Sequence, residues 1–229
     1  MSQTRNPSSR RRAEEKKDAE DVFVEKTLEG LSWAKRHSQA LLLGGIAIVV
    51  LVAAGLYYRN YRTSWEDQAV ARLEQVQASF GAGDRETAKA ELNQYAEQFE
   101  GTVYALEGRL ILGHAHLEDG EADLAIDVLA PAVREMNSQP IGVQAAFLMA
   151  SAYEESGQTE EAEQLLIRIA NASDLMFQIR EALAGAARIR TNAGDLSGAA
   201  ELYEEVLSSM EEADPERAFW EMRLAEVSG

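Results

Sequence analysis

GEADLAIDVL (residues 120–129) is followed one period later by GQTEEAEQLL (157–166) and then by GDLSGAAELY (194–203). GDRETAKAEL (83–92) precedes them in the same frame. The leading glycines, Gly83, Gly120, Gly157 and Gly194, stand 37 residues apart. Each is followed five residues later by alanine: Ala88, Ala125, Ala162 and Ala199. Four residues further on comes a large apolar side chain: Leu92, Leu129, Leu166 or Tyr203. A spacing held without slippage marks a repeat architecture. A glycine that ends one helix takes the positive φ that turns the chain into the next, with no Cβ in the way. An alanine marks a crossing too close for a larger side chain. The frame predicts an all-α solenoid of about four 37-residue helical hairpins, a surface suited to holding other proteins.

Working outward from the glycines, the first helices of the pairs are expected at about 64–80, 103–119, 141–156 and 175–191. Second helices are expected at about 84–99, 121–136, 158–171 and 195–210. Asp84 and Asp195 follow their glycines directly, where a carboxylate accepts backbone N–H bonds of the new helix. Pro140 and Pro215 read as helix starts, with Asp214 as a cap before the second. Pro131 falls inside a second helix and removes a bond to the Asp127 carbonyl, so a kink or early end is expected there. The segment 216–227, with Phe219, Trp220, Met222 and Leu224, reads as a helix capping the last repeat. The repeat domain is thus expected over residues 64–229.

Upstream, residues 40–58 read ALLLGGIAIVVLVAAGLYY without a charge. As a helix of 1.5 Å per residue this run is roughly 28 Å long, close to a hydrocarbon core of about 30 Å. Lys35 and Arg36 before it, and Tyr57, Tyr58, Arg59, Tyr61 and Arg62 at its far end, have the basic and aromatic character of a membrane interface. The rival readings are a core helix, for which an uncharged run of this length is unusual, and a cleavable signal with Ala53-Ala54-Gly55 as its site, for which the preceding tail is too long. Nine Lys/Arg in residues 1–39 against five in 59–98 place the N-terminus in the cytoplasm. Residues 1–18 form a polar, basic tail expected to be disordered. Residues 19–39 carry Val24, Leu28 and Leu31 at helical spacing and read as a juxtamembrane amphipathic helix.

Charge narrows the function. Residues 1–62 carry 11 Lys/Arg against 7 Asp/Glu, and residues 63–229 carry 11 against 32. A domain this acidic is repelled by nucleic acid, so no nucleic-acid partner is expected. There is no cysteine, hence no thiol nucleophile, disulfide or thiolate metal site. His114 and His116, two residues apart on a helix, face different sides and make a poor ligand pair. Gly81-Ala82-Gly83 follows no strand and reads as a turn. No cofactor, metal or catalytic activity is expected.

The pattern resembles the tetratricopeptide repeat. The third pair carries the resemblance best, through Ala146, Met149, Ala150, Tyr153, Gly157, Ala162 and Leu166. The second adds Leu110, Gly113, Gly120, Ala125, Leu129 and Ala132. Two departures stand out. The period is 37 where the repeat usually has 34, which puts three extra residues in each inter-repeat link. The signature tryptophan is also absent, with His116 and Arg190 where an aromatic is expected. In such repeats the first helices line a concave face. Alignment on the glycines places Leu73, Gln77 and Phe80, then Leu110, His114 and Leu117, then Phe147, Ser151 and Glu154, then Arg188 and Thr191 there. Phe80, Leu110, Leu117 and Phe147 read as an apolar groove with an acidic rim, suited to an apolar or basic peptide or a partner helix. The alternative is that they belong to the solenoid core. A clamp for a peptide C-terminal carboxylate would need several cations, and this chain offers mainly Arg188.

The combination of basic tail, single span and divergent repeats resembles the YfgM family of bacterial inner-membrane proteins, most of all in DVFVEKTLEGLSWAKRHSQALLLGGIAIVV (21–50). That resemblance implies a periplasmic repeat domain and an ancillary role at the Sec translocon. The partners it implies are translocon subunits, a membrane-anchored periplasmic chaperone and emerging client chains. A structural assembly protein of another envelope complex is the alternative.

Overall fold

The computed structural model describes residues 35, 37–81 and 84–229. The tail 1–18, nearly all of the 19–39 stretch, and Gly83 lie outside them. Among the described residues the order is α1 (Ser38–Gly81), α2 (Arg85–Gln98), α3 (Val103–Glu118), α4 (Ala122–Arg134), α5 (Pro140–Glu155), α6 (Thr159–Ala172), α7 (Met176–Ala193), α8 (Leu196–Ser208) and α9 (Arg217–Ser228), with no strand. The chain divides into two units between Thr63 and Ser64.

In the first unit, the apolar run lies in α1, the one described helix long and apolar enough to cross a membrane. Leu43, Ile48, Val49, Leu51 and Leu56 are all more than half exposed. Residues 59–63 (RNYRT) hold no glycine or proline, and α1 continues through them to Gly81.

The second unit is a succession of hairpins in which each helix packs mainly on its sequence neighbours, and α3 also packs on α5. Turn chemistry explains the regularity. Gly120, Gly157 and Gly194 have φ of 75°, 79° and 84°, in the left-handed region. After each of them the next N–H donates back to the carbonyl five residues earlier. These bonds are Glu121 to His116 at 2.8 Å, Gln158 to Tyr153 at 2.7 Å and Asp195 to Arg190 at 2.9 Å. Each glycine N–H donates to the carbonyl three back, which completes a Schellman closure. Asp84 Oδ1 accepts from the Thr87 N–H at 3.2 Å, and Asp195 Oδ1 from the Gly198 N–H at 3.0 Å, starting α2 and α8.

Ala88, Ala125, Ala162 and Ala199 are wholly buried. Proline acts much as its position suggests. Pro140 is the first residue of α5, and α4 runs through Pro131 but stops three residues later at Arg134. Asp214 Oδ1 accepts from the Glu216 N–H at 3.0 Å, although α9 begins only at Arg217, after Pro215. One turn falls outside the sequence frame. Gly101, with φ 82°, ends the link between α2 and α3, and it has no counterpart in the 37-residue period. The extra residues of the long period are not confined to the links. The link after α6 is only 173–175, and α7 is lengthened to 18 residues instead.

Two apolar clusters result. One joins α1, α2 and α3 through Ala69, Leu73, Val76, Leu92, Tyr95, Phe99, Ala105 and Leu112. The other runs from Ala125 to Val227, and Val128 packs against both. Tyr95 is buried, its hydroxyl donates to the Ala69 carbonyl at 3.0 Å, and burial pushes its ionisation up to about 12. Trp220 of α9 packs 6.4 Å from Tyr203 and covers the last hairpin.

Ala162→Leu tests the close crossing. A branched side chain at a fully buried alanine is expected to cost about 1–3 kcal/mol, read as a lower thermal midpoint of the repeat domain. An unchanged midpoint would refute tight packing at that position.

Candidate protein-binding groove

Side chains of α3, α5 and α7, with Phe80 of α1, line two hollows on one side of the hairpins. A hollow of about 620 Å³ is lined by Leu110 and His114 of α3, Gln144, Phe147, Leu148, Ser151 and Glu154 of α5, Leu166 of α6, and Glu181, Gly185 and Arg188 of α7. A second hollow of about 370 Å³ is lined by Phe80, Arg85, Leu110, Ile111, His114 and Glu118. Leu110 and His114 are common to both, so the two hollows adjoin.

Seven of the eleven concave-face positions read from the sequence line these hollows: Phe80, Leu110, His114, Phe147, Ser151, Glu154 and Arg188. Four do not. Leu73 is only 5% exposed and belongs to the first core cluster. The reason is local, because Ala69, Leu73 and Val76 form the stripe of α1 that closes on α2, pinned by the Tyr95 hydrogen bond to Ala69. Leu117 is half-buried and packs against the second cluster, while Gln77 is exposed and lines neither hollow. Thr191 turns back on its own helix, its hydroxyl donating to the Ala187 carbonyl at 2.8 Å. Gln144, Leu148, Leu166, Glu181 and Gly185 are lining residues that the sequence reading passed over. A signal existed, since Gln144 and Glu181 occupy one position of successive repeats.

Charge at the groove edge is mostly paired. Arg188 donates from both terminal nitrogens to the two oxygens of Glu154, each at 2.7 Å, and this raises its ionisation above the ordinary arginine value. Arg85 meets Glu118 at 2.6 Å and Asp119 at 2.8 Å. His114 lies 3.2 Å from Glu118.

The matching protein family is described as a tetratricopeptide repeat-like domain, and it covers residues 32–229. The chain belongs to that family. The match takes in the apolar run of α1 as well as the hairpins. No curated protein matches the chain. Two solved structures resemble it in fold. Both contain nearly identical TPR-like repeats assigned to a kinesin light chain of Podosopora anserina. The first superposes with a TM-score of 0.54 at 19% identity over 70% of this chain and 85% of that one. The second, a single-substitution variant of the same protein, gives 0.53 at 19% identity, over 70% of this chain and 84% of that one.

Within the repeat domain, a charged clasp joins the first hairpin to the second. Lys89 of α2 is only 5% exposed, yet its Nζ lies 2.7 Å from Glu86, 2.9 Å from Asp119 and 2.9 Å from Glu121. Hydrogen bonds to Glu86, Glu121 and Asp119 hold its ionisation well above the ordinary lysine value. Asp119 is held below the usual carboxylate range by Lys89 first and Arg85 second, and Glu121 by His116 first and Lys89 second. His116 Nδ1 lies 2.7 Å from Glu121. The residue that stands where the repeat usually has an aromatic is therefore part of this clasp. Arg190, at the same position two repeats on, meets Glu163 at 2.7 Å and the Gly198 carbonyl at 3.2 Å. Among the described residues no group of three or more His, Asp or Glu could hold a metal ion.

The clasp has a pH signature. Carboxylates depressed in the folded state stabilise it above their unfolded values and lose that contribution as pH falls through the folded ones. The gap in thermal midpoint between the wild-type protein and Lys89→Met is therefore expected to be widest near neutral pH. It should narrow once the pH drops below about 4. An equal gap at both ends would mean that the contribution of Lys89 does not come from its carboxylate partners.

Proposed function

We propose that the chain is a membrane-anchored protein-interaction subunit. The apolar run of α1 is its single span in a bacterial inner membrane, with the N-terminus in the cytoplasm and the repeat domain in the periplasm. The groove of α1, α3, α5 and α7 takes client chains or a partner's segment. The observation that carries the reading is one family match that includes both an exposed apolar helix and a hairpin array with an apolar groove. An apolar helix left in water has no stable place, and a bilayer supplies one without asking anything of its backbone, whose groups are bonded internally. The surplus of basic residues before the span agrees with this topology, and the acidity of residues 63–229 does not oppose it. The repeat domain acts by binding rather than by catalysis.

The more specific reading is an ancillary subunit of the Sec translocon, working beside a membrane-anchored periplasmic chaperone on emerging chains. It is supported by the resemblance of the layout to the YfgM family. Purification of the full-length protein from native membranes in mild detergent should bring down translocon subunits and such a chaperone. The double variant Phe80→Glu, Phe147→Glu should lose client chains and retain partners held through the span. Reproducible recovery of a different envelope complex, with no translocon, would sink the specific reading. Loss of every partner together would favour a purely structural assembly role.

A further inference from the structure

We infer that the groove selects polypeptide segments carrying a lysine or arginine beside their apolar side chains, and that Glu181 reads the cation. The inference rests on the groove being a protein-binding surface. Among the charged groups lining the two hollows, Glu118, Glu154, Arg85 and Arg188 all have opposite charges within 3 Å. Glu181 has no ion-pair or hydrogen-bond partner among the described residues. It stands on α7 one and two turns before Gly185 and Arg188, on the face that lines the larger hollow.

The floor beside Glu181 is apolar and tight. A Cβ built on Gly185 would lie 3.1 Å from Leu166 Cδ1, so the surface there is Leu166 itself. A ligand side chain seated on Leu166 and Phe147 lies within the same hollow as the Glu181 carboxylate. A ligand anion finds no complement, because both terminal nitrogens of Arg188 are already committed to Glu154. The field of the whole domain acts in the same direction, with 32 acidic against 11 basic residues over 63–229. The ligand's apolar anchors have a set separation as well. Leu110 and Phe147 hold one position on adjacent packed helices, whose axes lie about 8–10 Å apart. Two turns of a helical ligand, about 10.5 Å, span that distance.

The test uses full-length protein in detergent micelles and fluorescence anisotropy. The probe is a labelled, C-terminally amidated amphipathic peptide with Leu and Phe two turns apart and one lysine. Its twin has glutamate in place of the lysine. The lysine peptide is expected to bind about three- to fivefold tighter at low salt, with the difference fading as salt rises. Glu181→Lys should invert the preference. Glu181 is exposed, so the variant's melting curve should match the wild type. If the two peptides bind equally while Phe147→Ser abolishes both, cation selection is overturned and the groove stands. Binding of either peptide that Phe147→Ser leaves unchanged overturns the groove and the inference with it.

Discussion

Everything in the repeat domain depends on how a helix ends. A backbone N–H reaching back over a left-handed glycine to the carbonyl five residues earlier closes α3, α5 and α7 in the same geometry. Because the closure is the same, the following helix leaves at the same angle and meets its partner at the same alanine. Because the alanine is the same, the two axes of each hairpin approach closely, and α3 and α5 also pack on each other. The groove is thus a consequence of turn stereochemistry before it is a consequence of any side chain in it.

Those constraints are local and periodic, which is why they could be read. A glycine needed for positive φ and an alanine needed for a close crossing leave the same mark at Gly120, Gly157 and Gly194 and the alanines that follow them. Gly101 also has a positive φ, but it occurs once and no period exposes it. Leu73 misled for a different reason. Its repeat position is that of Leu110 and Phe147, and only the docking of α1 on Tyr95 decides that it goes inward. Repeat position fixes where a residue sits on its helix. The neighbours fix how deep it lies.

Charged residues were the least legible. Lys89, Arg85 and Asp119 look in sequence like an ordinary solvated helix face and turn. Their pairing is set by contacts about thirty residues apart in the chain, between one hairpin and the next. His116 and Arg190 departed from the expected aromatic, and the departure carried information. His116 exchanges ring packing for a 2.7 Å polar contact with Glu121, and Arg190 for an ion pair with Glu163, at the place where successive helices meet. A missing signature residue was in both cases a substituted interaction.

The two apolar clusters have a mechanical consequence. With α3 serving one cluster through Ala105 and Leu112 and the other through Leu106 and Leu110, the domain has a seam rather than a single heart. Stability in such arrays is a sum over neighbouring units, so the first hairpin is able to loosen while the later ones keep their core intact. The clasp of Lys89 stitches that seam from the outside. Tension on the chain from the α1 side would be met first by this short, charged seam, with the hairpins beyond held in reserve.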